Sequence, residues 1–243
     1  MIPSFKDLSR KTLKALRLLQ TPRYRRGLRQ GVAATIEHLG ALAHRDVKTV
    51  VDVGAHKGQF SLLVLEILPS ARVYSFEPQT KPREHFQRVL NGEERVRLFP
   101  AAIGPNDISM PMNISASDDS SSLLPISEQQ IRFFPGTGAV DSETVRVAPL
   151  HHFLSEKEII RPALLKIDVQ GFELEVLEGC ARLLSLFDLI YVECSFVEMY
   201  TGQALASEIF EWLHRRKFRF AGVYNVIYNS EGTAIQGDFL FQR

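Results

Sequence analysis

From Lys48 onward, apolar positions fall into short continuous runs separated by stretches with helical spacing. The runs Thr49–Val53, Arg72–Phe76, Val96–Phe99, Ala163–Ile167 and 189–193 are rich in β-branched residues. They do not alternate polar with apolar, which is how strands covered on both faces read. Helical spacing fills 59–68, 81–90, 172–184 and 204–215. Such alternation predicts βαβ units, and therefore an α/β fold with a doubly wound, mostly parallel sheet. The end of the chain differs. Residues 218–224 and 239–242 are aromatic strands joined by a polar, Gly-containing loop, which predicts a C-terminal antiparallel hairpin and a total of seven strands.

Two stretches depart from this rhythm. Residues 107–148 form an insertion with a polar run at 117–122 and a Pro-Gly-Thr-Gly cluster at 135–138. A long, mostly irregular insertion in a compact domain is more often a substrate loop than a structural necessity. At the other departure, 2–19, Phe5, Leu8, Leu13, Leu16 and Leu19 recur at near-helical spacing with basic residues between them, until Thr21-Pro22 breaks the pattern. A second helical stretch is expected over 27–44. Residues 1–46 thus read as a basic helical extension of an α/β domain spanning 47–243. The extension is either a lid packed on that domain or a helix that docks on a membrane or a partner.

Charge sharpens this division. The formal net charge is +1, yet residues 1–30 hold nine Lys or Arg against one acid, Asp7, so the rest is net acidic. This argues against nucleic-acid binding by the main domain, while the basic segment suits phosphates or an anionic membrane surface. Cys180 and Cys194 lie in apolar stretches and form neither a disulfide framework nor a metal motif. No signal peptide and no membrane-spanning run is legible, so a cytoplasmic location is expected, with peripheral contact at the inner membrane face left open.

Four motifs carry candidate chemistry. Val50-Val-Asp-Val-Gly-Ala-His-Lys-Gly58 runs from a strand through a glycine-rich turn into a helix. Gly54 and Gly58 permit a tight turn and close approach of a ligand to free helix N–H groups. The spacing lacks the central glycine of a dinucleotide fingerprint, which counts against a nicotinamide-dependent oxidoreductase. Glu77, in Val73-Tyr-Ser-Phe-Glu-Pro78, ends the second strand about twenty positions after the turn, where a carboxylate accepts ribose hydroxyls. Capping of the next helix is its alternative role.

Leu164-Leu-Lys-Ile-Asp-Val-Gln-Gly-Phe-Glu173 delivers Asp168 to the crevice at a strand's carboxyl end. Lys166 within that strand is expected to pair with a crevice carboxylate, and Glu173 to favour a helix start. Asp188-Leu-Ile-Tyr-Val-Glu-Cys194 presents Glu193 at the same edge. Two converging carboxyls can raise one pKa enough to make a general base, and hydrogen bonding to loop backbone is the rival role for Glu193. His56 in the turn faces the site on this reading, and no histidine pair has metal-ligand spacing. Neither a nucleophile elbow nor a Walker motif appears.

Taken together, Asp52-Val-Gly-Ala-His-Lys-Gly-Gln59, Phe76-Glu-Pro78, Ala101-Ala-Ile-Gly104, Ser120-Ser-Ser-Leu123 and Lys166-Ile-Asp-Val-Gln-Gly-Phe-Glu173 resemble the FkbM-type methyltransferases, over about 50–241. The resemblance implies a Rossmann-like class I methyltransferase fold and S-adenosylmethionine (SAM) as cofactor. It implies O-methylation of a hydroxyl, commonly on a glycan or glycolipid sugar, or on a polyketide or other small natural product, with no metal required. By motif, Asp52, Gly54, Ala55, Gly58 and Glu77 would line the cofactor, Ala101 and Ala102 would lie near its adenine, and Asp168 would reach the reaction site. Asp168, Glu193 and His56 are the candidate catalytic groups. Gln170 departs from the family, many members of which carry Glu there. A non-catalytic SAM-binding module and a membrane-associated assembly factor are the rival readings.

Overall fold

A computed structural model describes residues 16–243. Its strands are β1 (Thr49–Val53), β2 (Arg72–Phe76), β3 (Val96–Phe99), β4 (Ala102–Ile103), β5 (Ile108–Ser115), β6 (Ala139–Ala148), β7 (Ala163–Ile167), β8 (Leu189–Ser195), β9 (Arg219–Tyr228) and β10 (Ala234–Gln242). Seven of them form the main sheet in the order β3-β2-β1-β7-β8-β10-β9. The strands from β3 to β8 are parallel, and β10 runs antiparallel to both β8 and β9. This is the Rossmann-like arrangement expected of the sequence, with its C-terminal hairpin.

The continuous apolar runs have a direct cause in the packing. Successive residues of β1 serve opposite cores, Val51 and Val53 on one face and Val50 on the other. The same division separates Leu165 and Ile167 from Leu164 in β7. A strand buried on both faces has no position left for a polar residue except where a partner is supplied. The helix Gln59–Ile67 buries six consecutive residues, Phe60 to Leu65, between the sheet and the N-terminal segment.

The insertion is ordered, contrary to the irregular loop expected. β5 and β6 pair antiparallel from Ile108↔Val147 to Ser115↔Ala139, and β4 joins β6 in parallel, making a second sheet of three strands. Its inner residues Met112, Val145 and Val147 join the main core, whereas most of the outer half of β6 is exposed. Half-solvated strands with a polar outer face give too diluted an apolar pattern to be read as strands. A short helix, Glu128–Phe133, capped by Ser127, follows the serine run.

The expected helix over 27–44 is also redrawn. A helix occupies Pro22–Arg29, because proline is suited to the first turn, where its missing N–H would have been unpaired anyway. It stops at Gly31, whose φ of 75° lets Val32 N–H reach Gly27 O and Gly31 N–H reach Leu28 O. A 3-10 turn, Ile36–His38, and a single turn, Leu39–Leu42, complete the segment. Arg23 pairs with Glu66 at 2.9 Å and Glu93 at 3.3 Å, and Arg26 donates to Asn91 O, so these basic residues face the domain. Phe5, Leu8 and Leu13 of the expected first helix lie outside the described residues. Among the described residues no helix is long and apolar enough to cross a membrane.

β1 adjoins β2 on one side and β7 on the other, so the chain turns away in opposite directions and opens a crevice at the carboxyl ends. Gly54 begins that opening. Its φ is 80°, and a Cβ there would sit 1.8 Å from the Asp168 carbonyl oxygen. The backbones of two neighbouring strands therefore meet at a point that admits only glycine. Gly54→Ala is expected to destabilise the fold by about 3 kcal/mol or more, from clash and strain together, measured by urea denaturation.

Candidate functional site

The ends of β1, β2, β7, β8 and β10 surround a cavity of about 490 Å³, within the range of small-molecule and cofactor sites. Its floor is the turn after β1. Gly54 and Ala55 N–H both donate to Phe76 O, and His56 N–H donates to the Glu77 carboxylate at 2.9 Å. The other Glu77 oxygen accepts from Gln79 N–H at 2.8 Å. Glu77 is buried, and burial pushes its carboxyl up to about 7 even though both N–H donors favour the charged form. One carboxylate thus fixes the turn and faces the cavity.

Beneath the turn lies Lys166. Its Nζ is 3.2 Å from Asp52 Oδ1 and 3.4 Å from Asp168 Oδ2, and it donates to Gly54 O at 3.0 Å. Burial opposes its charge, but the two carboxylates prevail and hold the ammonium above its usual value. Lys166 meets the expected crevice carboxylate, and a second one besides. Asp52 is fully buried, accepts a hydrogen bond from Ser61 and does not line the cavity. Gly58 and Ala101 do not line it either, whereas Gly54, Ala55, His56, Glu77, Ala102, Asp168 and Glu193 do. A Cβ on Gly58 would press at 3.1 Å on Phe86, so this glycine serves helix packing.

Asp168 and Glu193 do converge, through a residue whose role spacing did not reveal. Gln170 Nε2 donates to Asp168 Oδ1 at 2.9 Å and to Glu193 Oε2 at 3.0 Å. Its own carbonyl accepts from the Tyr200 hydroxyl at 2.8 Å. Gln170 adopts a left-handed φ of 57°, and Gly171 beside it has φ 101° against the Tyr200 ring. Gln236 Nε2 reaches the second Glu193 oxygen at 2.9 Å. Burial and the neighbouring carboxylates, Asp168 foremost, drive the Glu193 carboxyl well above its ordinary value. Burial acts the same way on Asp168, but the Lys166 ammonium and the Gln170 amide outweigh it and hold Asp168 low. The crevice therefore pushes its two carboxyls apart, Asp168 towards the charged form and Glu193 towards the protonated one.

His56 has a φ of 47°, and burial lowers its pKa. Gln59 Oε1 accepts from Lys57 N–H, which leaves the Gln59 amide hydrogens to donate to His56 Nδ1 at 3.0 Å. The neutral ring then carries its hydrogen on Nε2, which is buried without a hydrogen-bond partner, 3.5 Å from Asp118. His56 is presented to the cavity as a donor. The serine run behaves as a fastening: Ser122 is fully buried and donates to Gln170 O at 2.6 Å, tying the insertion to the loop after β7. The far wall holds His38, Asn225 and Asp238, and no motif connects these three in the sequence. Among the described residues no group of three or more His, Cys, Asp or Glu is placed to hold a metal ion.

Residues 52–220 match the model of the methyltransferase FkbM domain. The chain is 26% identical over 191 residues to the 2-O-methyltransferase NoeI of Sinorhizobium fredii, covering 73% of this chain and 76% of that protein. It is 27% identical over 145 residues to the hexuronic acid methyltransferase AglP of Haloferax volcanii, covering 58% and 54%. Among solved structures, Streptococcus pneumoniae Sp1610, a putative tRNA (m1A22) methyltransferase in complex with S-adenosyl-L-methionine, aligns with a TM-score of 0.50 at 9% identity. That alignment covers 87% of this chain and 72% of the other, and the likeness is one of fold.

The buried Glu77 predicts a pH signature. Its folded value of about 7 lies above the ordinary 4.5, so its contribution to stability is present at low pH and lost as pH rises through 7. Differential scanning calorimetry of Glu77→Gln against the parent protein is expected to show the Tm difference moving in favour of the variant between pH 5 and pH 8. A difference independent of pH would mean that this carboxyl ionises normally.

Proposed function

The chain belongs to the FkbM family of methyltransferases, and from that premise we propose that it transfers the SAM methyl group to a sugar hydroxyl of a glycan or glycolipid acceptor. The observation that carries the reading is the charge of the cavity. Seven carboxyl groups line it (Glu37, Glu77, Asp118, Asp119, Asp168, Glu193 and Asp238) against a single lysine, Lys166. A ligand bearing a sulfonium and an ammonium is complementary to that wall, whereas the pyrophosphate of a dinucleotide is repelled by it. The same sign disfavours a nucleic-acid acceptor.

In this assignment Glu77 accepts the ribose hydroxyls, and the backbone of Gly54, Ala55 and His56 follows the cofactor. The unpartnered His56 Nε2–H supplies a donor. Ala102, with Ile103 and Phe172, forms the apolar wall for adenine. Asp52, Gly58 and Ala101 support the turn from beneath. Asp168, held charged, suits the cationic methionine end, and Glu193 lies beside it at the acceptor end. SAM supplies an electrophilic methyl group. The protein aligns the acceptor oxygen with it, excludes water and provides a site for the departing proton. Residues 47–243 form the catalytic unit, and the described part of residues 1–46 packs on it as a lid, fastened through Arg23 and Arg26 and reaching the cavity at Thr35 and His38.

Isothermal titration with SAM, S-adenosylhomocysteine and NAD tests the cofactor assignment. Both adenosyl ligands are expected to bind and NAD to fail. Glu77→Ala is expected to weaken adenosyl binding by about 100-fold, the loss of two hydrogen bonds to a charged group. Binding of NAD alone, or of none of the three, would overturn the reading. Release of S-adenosylhomocysteine in the presence of methyl glycosides of neutral hexoses, deoxyhexoses and hexuronic acids then identifies the acceptor class.

A further inference from the structure

The wall opposite the cofactor turn contains a second polar constellation, assembled from both ends of the chain. His38 Nδ1 lies 2.9 Å from the Tyr191 hydroxyl oxygen and 3.3 Å from Asp238 Oδ2. The Tyr191 hydroxyl donates to Asp238 Oδ2 at 3.1 Å, and Asn225 Nδ2 donates to the same oxygen at 2.7 Å. Asn225 Nδ2 also lies 3.2 Å from His38 Nδ1, so the cluster has two self-consistent hydrogen arrangements. In the one where the Tyr191 hydroxyl and the Asn225 amide both serve Asp238, the Tyr191 oxygen accepts from His38 Nδ1–H and the imidazole lone pair is on Nε2. Among the described residues no hydrogen bond engages that Nε2, and His38 lines the cavity. The ring is gripped edge-on by Phe60 and Tyr191, with centroids 5.6 and 5.5 Å away.

Two independent features indicate that this wall is built for a ligand. Between the pairs Gln236↔Ile227 and Asp238↔Tyr224, two residues of β9, Asn225 and Val226, face one of β10, Gly237. Asn225 in this bulge has a left-handed φ of 48°, and its amide is delivered to Asp238. Bulges of this kind re-aim a side chain, here at a stabilising partner of the imidazole. One turn before His38, Thr35 Oγ1 is buried without a hydrogen-bond partner, on a residue that also lines the cavity. A hydroxyl that the protein leaves unpaired in a cavity wall is free to bond water or a polar ligand.

On the reading given under Proposed function, we infer that His38, oriented by Asp238, is the catalytic base that takes the proton from the acceptor hydroxyl. The acceptor oxygen forms its new bond to the methyl carbon as the carbon–sulfur bond breaks, and that electron pair returns to sulfur. The hydroxyl proton passes to His38 Nε2, the resulting imidazolium is stabilised by Asp238, and the proton leaves to solvent. The other groups facing the ring are Tyr191 from β8, Asn225 from β9, and Asp168 just after β7. Asp168 is tied to Lys166 and Glu193 is bridged to the Gln170 and Gln236 amides, whereas no hydrogen bond among the described residues engages His38 Nε2. His38, Asn225 and Asp238 all lie outside the residues 52–220 that match the family domain. The base is thus supplied by this chain's own flanking segments, which also meet the acceptor.

The test uses the full-length protein with S-adenosylhomocysteine bound. Long-range ¹⁵N–¹H spectra of the histidines are expected to show His38 as the Nδ1–H tautomer, and Asp238→Asn to shift it towards Nε2–H. His38→Ala is expected to retain S-adenosylhomocysteine affinity within about twofold while kcat on the methyl glycoside substrate falls 100-fold or more. Added imidazole should restore at least tenfold of that loss, and restore nothing to Glu193→Gln. A structural role for His38 would give no rescue. An Nε2–H tautomer in the parent protein, or a full rate in His38→Ala with the loss found in Glu193→Gln, would overturn the inference. Failure of the parent protein to bind S-adenosylhomocysteine would instead overturn the methyltransferase reading beneath it.

Discussion

The fold around the cavity depends on one buried ammonium. Lys166 lies in the centre of a parallel sheet, where an unpaired charge would cost several kcal/mol, and it is tolerated because Asp52 on β1 and Asp168 just after β7 flank it. The same Nζ donates to Gly54 O, so the turn that follows β1 is hung from β7 by a charged hydrogen bond. Ser61 and Ser75 extend the network into the helix and strand on either side. Removing the lysine would leave the buried Asp52 carboxylate facing that of Asp168 with no cation between them. The position of the cofactor floor is therefore an electrostatic consequence of a strand residue that an apolar core would not choose.

Around this fixed charge the crevice is strongly acidic, and its carboxyls are kept apart in protonation by their immediate neighbours. Glu77 and Glu173 are both raised to about 7 by burial, Glu193 is raised well above its ordinary value, and Asp168 is held low. The Gln170 amide lies between Asp168 and Glu193, where a carboxylate would add repulsion to an already crowded site. Such an arrangement does not favour stability, since each buried carboxyl opposes folding once ionised. It is intelligible as a site that reserves its negative potential for a cationic ligand.

The main sheet supplies rigidity and the flanking segments supply the cavity wall that carries His38, Asn225 and Asp238. The N-terminal segment and the C-terminal hairpin meet across the sheet, with His38 against Asn225, 187 positions apart in sequence. The insertion closes the opposite side with its own three-stranded sheet, pinned through Ser122 and Tyr200 to the loop that carries Gln170. Variation in these three peripheral parts would change what is methylated while leaving the cofactor floor untouched.

The sequence by itself determined the parallel core. β1, β2, β3 and β7 are legible residue for residue, because strands covered on both faces are written as continuous apolar runs ended by turn residues. Glu77, Asp168 and Glu193 are legible for the same reason, as acids placed where those runs stop. Only the tertiary structure decided the rest. Asp52 and Asp168 both carry a carboxylate near the crevice, but the pleat points Asp52 down to Lys166 while Asp168 lies at the opening. The half-solvated strands β5 and β6 dilute the apolar pattern, so the insertion reads as a loop. Gln170, His38 and Asp238 acquire meaning from neighbours distant in sequence, and hydrogen bonds that close across a fold leave no periodicity along the chain.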